Sequence, residues 1–249
     1  MIPFAGRAIL LDVEGTTSSI AYVTETLFPY ARGELRAFLN ERWDSAEVVR
    51  ARDLIAQDAG AANFAQWCAG RSVAAEIDLV CAEVNRLMDG DIKATGLKEL
   101  QGLIWREGYR AGLLQSHVFP DVPPALAAWT KLGMDVRIFS SGSIAAQRVF
   151  FAHTGFGDLT PFFRGHYDTT VGPKRVATSY LKIAADMQLP TAEILFVSDI
   201  TLELDAARAA GMATALAVRP GNATPSVEHG HAVIGEFSEI AFAKRRSTD

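Results

Sequence analysis

Two carboxylates, Asp12 and Glu14, close the apolar run Ala8-Ile9-Leu10-Leu11 and are followed by Gly15-Thr16-Thr17. Ionised carboxylates resist leaving water, so a pair at the edge of an apolar strand is costly unless something compensates it. A hard divalent cation would do so, since Mg²⁺ takes one or two carboxylates together with phosphate oxygens. A carboxylate can also attack phosphorus and form an aspartyl-phosphate. Gly15 permits a sharp turn after the strand. Taken alone, the pair is also compatible with a helix-capping Asp or an acidic loop.

Three further segments carry chemistry of a complementary kind. Phe139-Ser140-Ser141-Gly142-Ser143 ends a second apolar run and opens a helical pattern. Hydroxyls and free amides at a helix N-terminus bind phosphate, although Ser143 there is also a plain helix cap. Asp199 and Glu203 follow Phe196-Val197-Ser198, with Asp205 beyond. Four residues apart, they point the same way on a helix-like turn, and acids at that position also simply favour the helix dipole. Lys174, after Val171-Gly172-Pro173, could neutralise a phosphate and a nearby carboxylate as a point charge, while a lone loop lysine is commonly just solvated. Along the chain the order is nucleophile, phosphate donor, charge neutraliser, metal ligand. Phosphoryl transfer needs mainly positioning and charge compensation, and this set supplies both.

These groups must be held by a scaffold, and the periodicity indicates which. Residues 7–13 read as a short, continuously apolar strand, the pattern of a parallel strand buried on both faces. Val136-Arg137-Ile138-Phe139, Ile194-Leu195-Phe196-Val197 and Thr214-Ala215-Leu216-Ala217-Val218 read likewise, the last ending in the turn signal Arg219-Pro220-Gly221. Helical patterns fall near 122–132, 143–153, 175–187 and 202–210. Strands alternating with helices predict an α/β fold with a parallel, doubly wound sheet. Ligands of such sheets bind beyond the carboxyl ends of the strands, where the chemical groups above lie.

The stretch from about 20 to 115 is too long for one crossover and reads as helices throughout. Val73, Ile77, Val80, Val84 and Leu87 recur on one helix face, and 27–39 and 97–109 also read as helical. The expected organisation is a catalytic α/β core of residues 1–19 and 116–249 with an all-helical cap of residues 20–115 inserted after the first strand.

Composition excludes several classes. Hydrophobic residues make up 49% of the 249, enough for a substantial core. The net charge is -5 and no Lys/Arg block forms a basic stripe, which argues against nucleic-acid or anionic-membrane partners. Cys68 and Cys81 are the only cysteines; they imply no disulfide framework and read as small buried hydrophobes. No apolar run has the length of a signal-peptide core or a membrane helix, so a cytoplasmic protein is expected. The basic end Lys244-Arg245-Arg246 reads as a solvated tail.

The set resembles the haloacid dehalogenase superfamily of aspartate-nucleophile phosphatases. Most members have a second Asp two residues after the nucleophile, where this chain has Glu14. With Leu27-Phe28-Pro29-Tyr30, Leu100-Gln101-Gly102, Trp105-Arg106, Ala146-Gln147, Gly165-His166-Tyr167-Asp168-Thr169, Ser179-Tyr180 and Arg219-Pro220-Gly221-Asn222, it is similar along nearly its whole length to the acireductone synthases, the enolase-phosphatases of methionine salvage. That resemblance implies a Rossmann-like core with a helical cap acting as lid. It implies one Mg²⁺ per subunit, a small phosphorylated diketone as substrate and a monomer. Asp12, Glu14 and Asp199 would hold Mg²⁺, and Ser140, Ser141 and Lys174 would contact substrate. Glu203 would stand behind the metal, through water. Asp12 would be the nucleophile, Lys174 a catalytic charge, and Glu14 the first candidate for proton transfer during enolisation. Phe28, Trp105 or Tyr109 would wall an apolar tail, or else form ordinary cap core. Two departures stand out: Val176 replaces a frequent Glu, and Pro173 precedes the lysine. A general sugar or phosphoglycolate phosphatase, a metal-free dehalogenase and a non-catalytic phosphate-binding module are the rival readings.

Overall fold

The computed structural model describes residues 1–92, 94–224 and 229–242. The basic tail read as a solvated end lies outside them. The chain divides into two compact units, Met1–Val23 with the chain from Gln115 onward, and Thr24–Leu114. The first junction therefore falls four residues beyond the break after Ser19 drawn from the sequence, because helix α1 (Ile20–Tyr22) and Val23 group with the first unit.

The first unit is built on a sheet of six strands in the order β4-β3-β2-β5-β6-β7. These are β2 (Ala8–Leu11), β3 (Asp135–Phe139), β4 (Gly165–Tyr167), β5 (Ile194–Ser198), β6 (Ala213–Ala217) and β7 (Ala232–Ile234). All neighbours pair in parallel. A separate parallel pair joins β1 (Ile2–Phe4) to β8 (Ile240–Phe242). Strand β2 is central, and its four apolar residues are all buried, as a parallel strand covered on both faces requires. Ala8 and Leu10 pack with Phe139, Tyr180, Ile183, Phe196 and Leu204. Burying side chains of this size contributes about 1.5–3 kcal/mol each.

Strands β1, β4, β7 and β8 had no counterpart in the sequence reading. Each has only three residues, too few to establish a period of two. In Gly165-His166-Tyr167 all three are half-buried, so no apolar run marks the strand. β4 and β7 pair with the open edges of β3 and β6, and β1 and β8 pair with each other, in every case a tertiary circumstance.

The second unit is helical throughout its regular structure. It contains α2 (Phe28–Arg42), α3 (Ala46–Asp58), α4 (Phe64–Trp67), α5 (Val73–Asp89) and α6 (Thr95–Arg110), with a π-helical turn at Val23–Leu27 leading in. Its core gathers Leu35, Leu39, Ile55, Val80, Val84, Leu87 and Leu100. Val73 departs from the expected apolar face: it opens α5 and is 55% exposed, one turn short of the packed part. Cys68 and Cys81 are buried free thiols within this core. Tyr109 is also core, at 3% exposure. Phe28 and Trp105 instead stack with centroids 6.3 Å apart, and the indole N–H donates to the Leu27 carbonyl at 2.8 Å.

Helices α7 (Val122–Lys131), α8 (Ile144–Ala152), α9 (Ala177–Asp186) and α10 (Thr201–Ala209) complete the first unit. Each begins and ends within two residues of its predicted span. Among the described residues no helix is long and apolar enough to cross a membrane.

Candidate active site

Sheet register assembles the site. Leu11 of β2 is level with Ile138 of β3 on one side and Val197 of β5 on the other. The next residues, Asp12, Phe139-Ser140 and Ser198-Asp199, therefore emerge together at the carboxyl edge. The Asp12 amide still donates to Val197 O at 3.0 Å, so the aspartate leaves the sheet in a fixed direction.

Lys174 reaches this edge from the loop before α9. Its Nζ lies 2.6 Å from Asp12 Oδ1 and 2.7 Å from Glu203 Oε2. Tyr180 donates its hydroxyl to the Lys174 carbonyl at 2.6 Å, and Ser179 donates to Pro173 O at 2.8 Å. Both helix residues thus pin the loop that aims the lysine. Pro173 supplies an acceptor to this clamp, and Val176 faces solvent at 42% exposure, so neither departure diverts the side chain. Burial alone would lower the Lys174 pKa, but the charges of Asp12 and Glu203 outweigh it and hold the group above its ordinary value. It remains an ammonium at neutral pH.

Glu203 is therefore an ion-pair partner of Lys174. Burial and the Asp12 charge push its carboxyl up to about 7 against the pull of Lys174. Ser198 is the residue that the sequence reading passed over. Its Oγ lies 2.9 Å from Asp12 Oδ2 and 3.2 Å from Glu203 Oε2, orienting the aspartate from below. Its position directly before Asp199 on a strand end was the only available signal.

Asp199 packs against the nucleophile loop. Gly15 has φ +70, and a Cβ there would overlap the Asp199 carboxylate. Burial first, then the charge of Asp12 and more weakly that of Glu14, push Asp199 up to about 7. Asp12, Glu14 and Asp199 are the oxygen donors that could hold a hard cation. Among the described residues no three His, Cys, Asp or Glu side chains already form a closed metal cage. Mg²⁺ needs none, because it keeps water and phosphate oxygens as ligands.

The serine loop is built separately. Ser140 is buried, and its Oγ accepts from the Gly142 amide at 3.2 Å. Ser143 caps α8 by accepting from Ala146 N at 3.2 Å, the structural alternative for that residue. Gln147 Nε2 donates to Gly142 O at 2.7 Å and Tyr167 O at 2.9 Å. Two carbonyls fix the amide orientation, so Gln147 Oε1 accepts from His166 Nδ1 at 3.1 Å. Burial, helped by the charge of Arg148, lowers the His166 pKa to about 4. A neutral histidine therefore braces the loop that carries Ser140 and Ser141.

Comparison with known proteins extends this geometry. The profile of haloacid dehalogenase-like hydrolases matches residues 7–211. An enolase-phosphatase E1 from Sorangium cellulosum is 44% identical over 241 residues, covering 97% of this chain and 100% of that protein. This chain belongs to the enolase-phosphatases of the haloacid dehalogenase-like hydrolases. The enolase-phosphatase E1 of Azotobacter vinelandii is 43% identical, with 94% of this chain and 96% of that protein covered. The crystal structure of the UTR4 protein of Saccharomyces cerevisiae superposes with a TM-score of 0.76 at 30% identity, covering 94% of this chain and 99% of that one.

Proposed function

We propose that this chain is a magnesium-dependent enolase-phosphatase of methionine salvage. It converts 2,3-diketo-5-methylthiopentyl-1-phosphate to the enol phosphate, then releases phosphate to leave the acireductone 1,2-dihydroxy-3-keto-5-methylthiopentene. The observation that carries this reading is the Lys174–Asp12 pair, 2.6 Å apart at a parallel sheet's carboxyl edge, with Glu14 two residues along.

Asp12, Glu14 and Asp199 are the residues that would hold Mg²⁺. Asp199 is raised by burial first and by the neighbouring negative charge of Asp12 second, and a cation held there would offset both. When bound, Mg²⁺ supplies positive charge to developing oxyanions on substrate. Lys174 carries a fixed positive charge toward the substrate phosphate and restrains Asp12. Held as an ammonium, it is a poor proton acceptor, which leaves Glu14 as the candidate base for enolisation. Glu14 is exposed, so substrate can reach it. Ser140 and Ser141 bind the substrate phosphate. Asp12 is the nucleophile for phosphoryl transfer. The reading includes one Mg²⁺ per chain, a monomer and a cytoplasmic location. The net charge of -5 accords with a small substrate and no nucleic-acid partner.

The deciding experiment supplies the diketo phosphate with Mg²⁺ and follows enol absorbance beside phosphate release. Both signals are expected, enol first. Phosphate release without enol would instead mark a general phosphatase of the superfamily.

A further inference from the structure

The segment after β6 reaches back to the loop that carries Asp12 and Glu14. Asn222 Nδ2 donates to Gly15 O at 2.8 Å and to Ala217 O at 3.2 Å. Arg219 Nε donates to the next carbonyl, Thr16 O, at 2.9 Å. The arginine is itself anchored, with Nη1 2.6 Å from Gly235 O and 2.9 Å from Asp121 Oδ2. Its guanidinium lies 4.8 Å from the Phe119 ring and 4.6 Å from the Phe237 ring. Two consecutive peptides of the nucleophile loop are thus each held by a side chain from one distant turn.

Asn222 carries a mark that fold stability does not explain. Both of its acceptors are carbonyls, which fixes the amide nitrogen toward them. Its Oδ1 is then buried with no hydrogen-bond partner among the described residues, and an unmade buried bond is destabilising. What the amide does achieve is local. Gly15 lies in the left-handed region at φ +70, and a glycine peptide there is intrinsically soft. The donor on Gly15 O removes that freedom immediately beside Glu14.

We propose that Asn222 is a positioning residue for the enolase-phosphatase reaction. Its amide holds the Gly15 peptide so that Asp12 and Glu14 keep their register, while Arg219 secures the following peptide. This rests on the reading above of Asp12 and Glu14.

The test compares wild type with Asn222→Ala and Asn222→Ser in the full chain. Three quantities are read: kcat and KM for phosphate release from the diketo phosphate, affinity for Mg²⁺ alone by calorimetry, and the melting temperature of the metal-free protein. In Asn222→Ala, kcat should fall about 10–100-fold, as for residues that orient metal-site groups, with KM little changed. Mg²⁺ affinity should weaken and the melting temperature should hold or rise. Asn222→Ser keeps a donor and should fall between alanine and wild type. Unchanged kcat and Mg²⁺ affinity in Asn222→Ala, or a serine no better than alanine, would overturn the proposal. So would a kcat loss accompanied by a melting temperature lower by more than about 5 °C, which would make the role structural. A wild type that binds Mg²⁺ yet does not turn over the diketo phosphate would sink the functional reading instead, and the Mg²⁺ affinities would still judge Asn222.

Discussion

Lys174 Nζ lies 2.6 Å from Asp12 Oδ1, and side-chain exposure is only 6% for the lysine and 5% for the aspartate. At that separation and burial the attraction is far stronger than in water. The aspartate's other oxygen takes the Ser198 hydroxyl, so its orientation is set before substrate arrives. The second carboxylate on the same ammonium, Glu203, leaves the trio one charge short of neutrality when all are ionised. Burial is the main cause of the raised Glu203 pKa, and the excess negative charge from Asp12 adds to it.

Asp12→Asn retains the volume and removes the nucleophilic charge. Phosphate release should fall by about three orders of magnitude or more, in line with loss of a principal catalytic group. The check is a release assay in saturating Mg²⁺, and a rate close to wild type would remove Asp12 from the chemistry.

Lys174→Met leaves Asp12 and Glu203 buried without their cation. Breaking a buried pair in this way costs about 3–5 kcal/mol. Urea unfolding at pH 8 should show the loss. A carboxyl whose folded pKa lies above its free value binds its proton more tightly folded than unfolded. Its contribution is therefore present at low pH and lost as pH rises through the folded pKa, about 7 for Glu203 in the wild type. The variant should accordingly recover stability as the pH falls from 8 to 5; a variant equally unstable at both ends would contradict this account.

His166 gives the opposite sign. Its pKa near 4 in the fold, against an ordinary value near 6.5, means that the unfolded chain binds more protons between those limits. Stability contributed by the neutral ring is complete above about pH 6.5 and lost as pH falls toward 4. In wild type the imidazole resonances should titrate below pH 5 by NMR. Titration at the free value would show that the ring is not buried against Gln147.

Gly15→Ala and Gly112→Ala separate two effects. Both glycines have left-handed backbone, φ +70 and φ +71, but a Cβ at 112 meets open space whereas at 15 it overlaps Asp199. Backbone strain should cost each variant about 1–2 kcal/mol. Only Gly15→Ala should also lose activity, by about 10–100-fold, because it displaces Asp199. Equal activity in the two variants would show that Asp199 is not held where Gly15 allows.

Local sequence determined a good deal of this protein. Strands β2 and β5 announce themselves because both faces of a parallel strand are buried, so apolar runs are unbroken from Ala8 to Leu11 and from Ile194 to Val197. Helices α7 to α10 are legible from their period and the turns around them. Asp12, Glu14, Ser140, Ser141 and Asp199 could be singled out as candidates from their places at strand ends, where ligands of parallel sheets bind, and Lys174 from the loop before α9, but each also admitted a capping or solvated reading. Tertiary structure alone decided the remainder. Strands β4 and β7 exist only because neighbouring edges await partners. Whether Lys174 was a solvated loop residue or the centre of a buried trio depended on Tyr180, six residues away, and on Asp12 and Glu203, brought beside it by the fold. Ser198, Gln147, His166 and Asn222 act through hydrogen bonds across as many as 207 positions. No local pattern encodes such contacts, since their energy arises from burial and geometry that the folded chain creates.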